Sequence, residues 1–198
     1  WVDSGFGSSS RVYENGAAKL GMLPAMYQKG GQGLIIHWTV CKTLLGLALV
    51  AATERGICAV ALGTDRSLLQ AELQNEFPKA QLNYVADSHQ YISAKVQHVA
   101  RVLSGLPSIE SIELVGTVFQ QKVWQALMKI PAGQTRSYAE LAGQLAMPKA
   151  ARAVARACAS NKVAVLVPCH RIIRRDGTMG GYRWGLPLKK KLLQLERA

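Results

Sequence analysis

Three apolar runs set close together in the first half of the chain, at 34–40, 45–52 and 57–62, constrain its fold more than any other feature. Each has strand length, and Thr53-Glu54-Arg55-Gly56 supplies the turn between the last two. The apolar period then changes. Leu68, Leu69, Leu73 and Phe77 fit a helix over 67–77, and Ile92, Val96, Val99, Val102 and Leu103 fit another over 88–103. From about 109 onward the pattern is mainly helical. Strands first and helices after them predict an α+β protein. Cys41 and Cys58 fit strand cores, while His89 and His98 on the second helix are expected to be solvated.

Composition narrows the class. The 198 residues are 49% hydrophobic, enough for one large or two small packed domains. The most apolar stretch, 44–52, is too short for a membrane span and is interrupted by Gly46. No signal peptide is legible. Cys41, Cys58, Cys158 and Cys169 show neither CxxC spacing nor a His at metal-ligand spacing, which argues against a disulfide framework and a zinc site. Reduced thiols in the cytosol are the expectation. The net charge of +12 is unevenly spread: residues 1–111 hold 9 Lys/Arg against 8 Asp/Glu, and residues 112–198 hold 15 against 4. A basic field confined to the second segment fits a polyanionic partner, most commonly nucleic acid.

Three regions are predicted, 1–32, 33–110 and 111–198. The first is polar, with Ser8-Ser9-Ser10 as a helix start, Gly21 and Pro24 as a stop and Gly30-Gly31 as a linker. The third opens with a helix over 119–128 that stops at Ile130-Pro131-Ala132-Gly133. Ser137 and Glu140 then form a capping box, Pro148 takes a permitted first-turn position, and the two helices so defined make a helix-turn-helix. The second of them, 149–159, alternates alanine with Arg152 and Arg156, one turn apart. Small side chains let the backbone approach a groove closely while the arginines reach phosphates or bases.

The chemistry concentrates at Leu166-Val167-Pro168-Cys169-His170-Arg171-Ile172-Ile173. A strand-like apolar run ends at Pro168 and sets a thiol beside an imidazole and a guanidinium. An unperturbed thiol has a pKa of about 8.5, and neighbouring cationic or basic groups lower it and raise the thiolate fraction. A reactive cysteine is the expectation; for the Cys-His pair taken alone, a buried structural Cys beside a surface His is the alternative.

The third region resembles the O6-alkylguanine-DNA alkyltransferases. The resemblance rests on Gly116-Thr117, Phe119-Gln120, Val123-Trp124, Ala126-Leu127, Ile130-Pro131, Gly133, Ser137-Tyr138, residues 148–154, Asn161, Pro168-Cys169-His170-Arg171, residues 180–185 and residues 189–196. The first region is similar to the final helix-turn-helix of AraC-type regulators through Ser4-Gly5-Phe6, Ser8-Ser9-Ser10, Tyr13, Leu20-Gly21-Met22, Pro24 and Tyr27, with Leu23 where Thr is usual. Together they point to the Ada branch, in which a regulator is fused to an alkyltransferase.

What the resemblance implies is specific. A partial AraC-type remnant at 1–32 would precede an RNase H-like α/β domain at 33–110 and a mostly helical winged-helix, helix-turn-helix alkyltransferase domain at 111–198. DNA would be repaired by one irreversible transfer of an alkyl group from O6 of guanine, or O4 of thymine, to Cys169. His170 would act as base through a water, oriented by Glu196. Asn161 would brace the turn carrying the cysteine, and Tyr138 would rotate the phosphodiester and donate a proton toward the departing base. DNA would be held by Ser137, Tyr138, Lys149, Ala150, Ala151, Arg152, Ala153 and Arg156, with Arg152 entering the stack as the nucleotide is flipped out. The pocket would comprise Tyr138, Val167, Pro168, Ile172, Tyr182, Arg183 and Trp184, and Trp184, which is Gly in some members, would disfavour bulky adducts. No metal and no cofactor are implied. The implied partner is double-stranded DNA containing O6-alkylguanine, bound by a monomer in the bacterial cytosol without a membrane. The alternatives are a lesion-binding protein that transfers nothing, an Ada-type transcription-regulator fragment, and a cysteine hydrolase that turns over.

Overall fold

The computed structural model describes residues 30–104, 106, 112–114 and 116–197. The AraC-like pattern at 1–32 therefore lies almost wholly outside the described residues. Strands β1 (Ile35–Thr43), β2 (Gly46–Thr53) and β3 (Gly56–Gly63) form an antiparallel meander. Helix α1 (Arg66–Glu76) then crosses the sheet, and β4 (Gln81–Tyr84) pairs parallel with β1, giving the order β3-β2-β1-β4. Helix α2 (Gln90–Leu103) follows. The first three strands arise where the apolar runs predict them. β4 does not announce itself, because Gln81-Leu82-Asn83-Tyr84 is an edge strand held by backbone pairing and little apolar burial.

The runs in β2 and β3 are continuous rather than alternating because both faces of the sheet are covered. One face packs Trp38, Leu49, Ala51 and Ala61 against Leu69, Leu73 and Phe77 at α1. The other, with Ala48, Val50, Val60 and Leu62, joins Val99 of α2 and the buried side chains of the C-terminal half in a single core. Asp65 caps α1, accepting from the backbone N–H groups of Ser67 and Leu68. His89 is exposed, as expected, and His98 is not. His89 caps α2 by accepting the Tyr91 N–H at its Nδ1, 3.2 Å away, and His98 is buried beside Val99 on the face pressed to the sheet. Cys58 is buried in β3 and Cys41 is half-buried in β1.

The C-terminal half is built from α3 (Val118–Met128), α4 (Tyr138–Gln144), α5 (Ala151–Ala159) and α6 (Leu186–Leu195), with β5 (Arg136–Ser137) and β6 (Ile172–Ile173) paired in parallel. Capping boxes start two of the helices: Thr117 with Gln120 at α3, and the predicted Ser137 with Glu140 at α4. The expected helix at 149–159 divides into a tight 3-10 turn, Pro148–Ala150, and α5 proper. Met147 supplies no side-chain cap, so its carbonyl accepts from Ala150 N–H three residues on, at 2.8 Å. A sheet unit followed by a helical unit makes the protein α+β. Among the described residues no helix is long and apolar enough to cross a membrane.

Candidate active site

Cys169 stands at the end of a turn, not of a strand. The apolar run meets the sheet at its start, where Val163 bridges to Val60 of β3 and Ala164 N–H donates to the Val60 carbonyl. The segment 164–167 folds back on itself, with Val165 at φ 61, a left-handed conformation that a β-branched residue adopts only under constraint. Asn161, buried to 1% exposure, supplies that constraint. Its Oδ1 accepts from Val163 N–H at 2.9 Å, and its Nδ2 donates to the Val167 carbonyl at 2.9 Å and to Cys169 Sγ at 3.2 Å. One amide therefore shapes the turn and touches the thiol.

The sequence predicts a thiol whose pKa is lowered by its neighbours. The structure reverses this: burial pushes Cys169 up to about 11, against the opposing pull of the Asn161 amide and the Lys189 and Arg183 charges. Arg171, the expected cation, points elsewhere. Its Nε and Nη2 donate to the Glu196 carboxylate at 3.0 and 2.7 Å, and its Nη1 donates to the Ile130 carbonyl.

His170 is likewise buried, and its Nε2 meets Glu196 Oε1 at 2.8 Å. Burial lowers the His170 pKa over the opposing pull of Glu196. Burial would raise that of Glu196, yet the hydrogen bonds and charges of His170 and Arg171 bring it down to about 2. An ionised carboxylate only accepts, so at neutral pH the neutral imidazole carries its proton on Nε2. Nδ1 is left with its lone pair, buried and without a hydrogen-bond partner among the described residues. Gly133 completes this arrangement. Its N–H reaches Glu196 Oε2 at 3.2 Å, and a Cβ there would lie 2.9 Å from the Glu196 carbonyl oxygen.

The third component is the loop at 180–185. Tyr182 and Trp184 pack edge to face at 5.3 Å against the core that holds Cys169, and their Oη and Nε1 are buried without partners among the described residues. Tyr138, half-buried at the start of α4, brings its hydroxyl within 3.1 Å of where a Cβ on Gly180 would stand, at φ +59. Sequence reasoning missed Lys189. It is fully buried, and its Nζ donates to the carbonyls of Ile172, Met179 and Gly181, tying β6 to the loop. The signal was present: Lys189 lies three and four residues before Leu192 and Leu193, a charge on the apolar face of α6.

The remaining predicted residues divide. α5 buries Val154, Ala157 and Cys158 in the core shared with Cys169 and turns Arg152 and Arg156 outward, with Lys149 exposed just before it. Ala150, Ala151 and Ala153 are partly exposed, and Ala150 packs against the core. Ser137 is buried and committed to its cap, accepting from Glu140 N–H at 3.2 Å. Val167 and Ile172 carry no accessible surface and back the thiol from within the core, whereas Pro168 immediately precedes it. A basic cleft of about 620 Å³, lined by Arg136, Arg174 and Arg175, adjoins the start of α4. Among the described residues no group of three or more His, Cys, Asp or Glu could hold a metal ion.

Comparison with known proteins gives the same assignment. Residues 118–198 match the family model for the DNA-binding domain of 6-O-methylguanine DNA methyltransferase. The bifunctional transcriptional activator/DNA repair enzyme Ada of Escherichia coli K12 is 44% identical over 200 aligned residues, covering 98% of this chain and 55% of Ada. The chain thus spans about half the length of that relative. The crystal structure of Mycobacterium tuberculosis O6-methylguanine methyltransferase superposes with a TM-score of 0.66 at 31% identity, covering 82% of this chain and 93% of that one. The same mycobacterial protein in complex with DNA gives a TM-score of 0.66 at 32% identity, covering 81% and 92%. With nearly the whole of a solved relative matched at 31% identity, the chain belongs to the O6-methylguanine-DNA methyltransferase family.

Proposed function

We propose that the protein repairs alkylated DNA by carrying one alkyl group from O6 of guanine to Sγ of Cys169, once per molecule. The observation that carries this reading is the line Cys169–Asn161 and His170–Glu196, set in the core directly behind a helix that turns Arg152 and Arg156 outward. The β5–β6 pair and the turn after it, beside the helix-turn-helix, support a winged-helix description of this domain. The sheet covered on both faces by α1 and α2 supports an RNase H-like one for 33–110.

In this reading double-stranded DNA lies along α5, with Lys149 and Arg156 on phosphates and Arg152 filling the stack as the damaged nucleotide swings out. Extrusion costs a few kcal/mol, and less for a weakened pair. Tyr138 and Tyr182 flank the extruded base. Ionising a thiol of pKa about 11 at pH 7 costs about 5 kcal/mol, so Sγ does not wait as a thiolate. Its proton passes through a water to His170 Nδ1, and Glu196 stabilises the imidazolium. Sγ then attacks the alkyl carbon in line, the carbon–O6 bond breaks, and its electron pair leaves with guanine; Tyr138 gives that guanine a proton, and the proton held by His170 returns through solvent to the tyrosinate. The net change moves an alkyl group to sulfur and a proton to guanine. A thioether has no leaving group that these residues could activate, so the reaction stops there. The residues need no metal or cofactor for any of these steps. The protein would act as a monomer in the bacterial cytosol, and Trp184 would narrow the pocket toward small alkyl groups.

The test is direct. Purified protein is incubated with excess duplex bearing O6-methylguanine, digested and weighed. One methyl mass on the peptide containing Cys169, saturating at one per molecule and absent in Cys169→Ala, is the expected result. A methyl group elsewhere, continued turnover, or an unmodified Cys169 overturns the proposal; the last is also what a lesion-binding protein or a regulator would give.

A further inference from the structure

The loop at 180–185 is held to the sheet domain by charge. Arg183 donates from Nε to Glu72 Oε1 at 3.0 Å and from Nη2 to Glu76 Oε2 at 3.1 Å. Its Nη1 reaches the Asn161 carbonyl at 3.5 Å. Glu76 also meets Lys162 Nζ at 2.7 Å. One carboxylate on α1 therefore grips two separate segments: the one that begins with Asn161, which braces the nucleophile, and the one that carries Tyr182.

Two features of α1 itself disfavour this pair. Glu72 and Glu76 are one turn apart, where like charges repel. They sit in the C-terminal half of the helix, whose dipole disfavours carboxylates, and the last turn contains no basic residue. Their compensating cations come from the other half of the chain. The side chains are 32% and 16% exposed, and those of Arg183 and Lys162 are 25% and 11% exposed, so solvent screens the contacts less than it does ordinary surface pairs. Two further contacts follow the same seam. Trp184 packs against both cores, and Val60 of β3 exchanges backbone hydrogen bonds with Lys162 and Ala164 at 2.9 Å each. The segment at 161–164 is thus fixed to the sheet domain by backbone hydrogen bonds, whereas among the described residues the loop at 180–185 meets it through side chains.

We infer that Glu72 and Glu76 are positioning residues for alkyl transfer: from the sheet domain they set the spacing between the pocket wall at Tyr182 and the turn that bears Cys169. This rests on the alkyl-transfer reading above. Neither carboxylate touches the substrate; both act through Arg183 and Lys162. The sheet domain then has a part in the chemistry beyond burying the core.

The experiment compares wild type, Glu76→Gln, Glu72→Gln/Glu76→Gln and, as a control on an exposed turn, Glu54→Gln. Three quantities are read: hydrogen exchange of the peptide spanning 180–185, affinity for lesion-free duplex, and the single-turnover rate at saturating lesion duplex. In the double variant exchange at 180–185 is expected to quicken about tenfold and transfer to slow about tenfold, as loss of one to two kcal/mol of charge-assisted bonding would produce. Duplex affinity should hold within about twofold, because Arg152 and Arg156 are untouched. Unchanged exchange overturns the clamp. Faster exchange with unchanged transfer reduces the pair to a structural contact and overturns the positioning role. A wild-type protein that takes no methyl group fails the proposed function itself, and that result needs no variant to be seen.

Discussion

Replacing Glu196 by Gln keeps the shape of the side chain and removes its charge, and the consequences follow from its partners. The carboxylate accepts from His170 Nε2 at 2.8 Å, from Arg171 Nη2 at 2.7 Å and Nε at 3.0 Å, and from Gly133 N–H at 3.2 Å. Its pKa of about 2, against an ordinary 4.5, corresponds to about 3 kcal/mol of preference for the charged form in the folded protein. Glutamine turns an NH₂ group toward either the guanidinium or the imidazole N–H, donor against donor, and leaves Arg171 without its counter-charge. Folding stability is expected to fall by about 2–4 kcal/mol, read from urea melts at pH 7. Because the folded-state pKa is depressed, this stabilisation is present in full above pH 4.5 and is lost as pH falls toward 2. The gap between wild type and variant should therefore narrow across that window. Transfer should slow about a hundredfold in a rapid-quench single-turnover assay, since the variant neither fixes the Nε2–H tautomer nor stabilises the imidazolium. A Glu196→Gln protein with the wild-type transfer rate and urea midpoint would refute the assignment of Nδ1 as the base.

Asn161→Ala strands the Val163 N–H and the Val167 carbonyl inside the turn, and at about 1–3 kcal/mol per unsatisfied group it should cost about 2–6 kcal/mol in urea denaturation. A loss below 1 kcal/mol, about the worth of one ordinary hydrogen bond, would dismiss the brace. Arg152→Ala should slow repair of duplex far more than reaction with the free modified base, since its task is to occupy the vacated stack; equal losses on both substrates would count against insertion. Gly180→Ala forces a Cβ to 3.1 Å from the Tyr138 hydroxyl at a backbone φ of +59, and is expected to slow transfer through displacement of Tyr138, with an unchanged rate telling against that contact. The rate should be level through neutral pH and fall only below about 6.5, the ordinary pKa of a histidine, because burial lowers that of His170 and keeps its base form available. A decline that begins well above neutrality would identify another group.

Burial explains which features the sequence made legible. The strands β2 and β3 could be read because a sheet covered on both faces writes its burial into an unbroken apolar run. β4, β5 and β6 could not, because they are held by backbone pairing at edges and short contacts that leave little trace in side-chain type. The site divides in the same way. The helix-turn-helix was legible through local devices: the Ser137–Glu140 box, Pro148 and the spacing of Arg152 from Arg156. The pairing of His170 with Glu196, across the whole of α6, came from family resemblance, since no local pattern requires it. Arg171 shows why adjacency misleads. Cys169, His170 and Arg171 form one turn of 3-10 helix, in which successive side chains point about 120° apart. Three neighbours in sequence therefore face three directions: the thiol toward Asn161, the imidazole and the guanidinium toward Glu196 from different sides. The cations that reach the thiol, Lys189 and Arg183, come from α6 and the pocket loop, and even together they do not offset its burial. A local reading predicts a thiolate at rest, whereas burial in the folded protein favours the protonated thiol. For the single transfer proposed above, that protonated state has a physical advantage. A sulfur ionised only as a flipped base arrives is poorly reactive toward the small electrophiles that would otherwise consume it, so at pH 7 Cys169 should alkylate with iodoacetamide more slowly than an unfolded peptide of the same sequence.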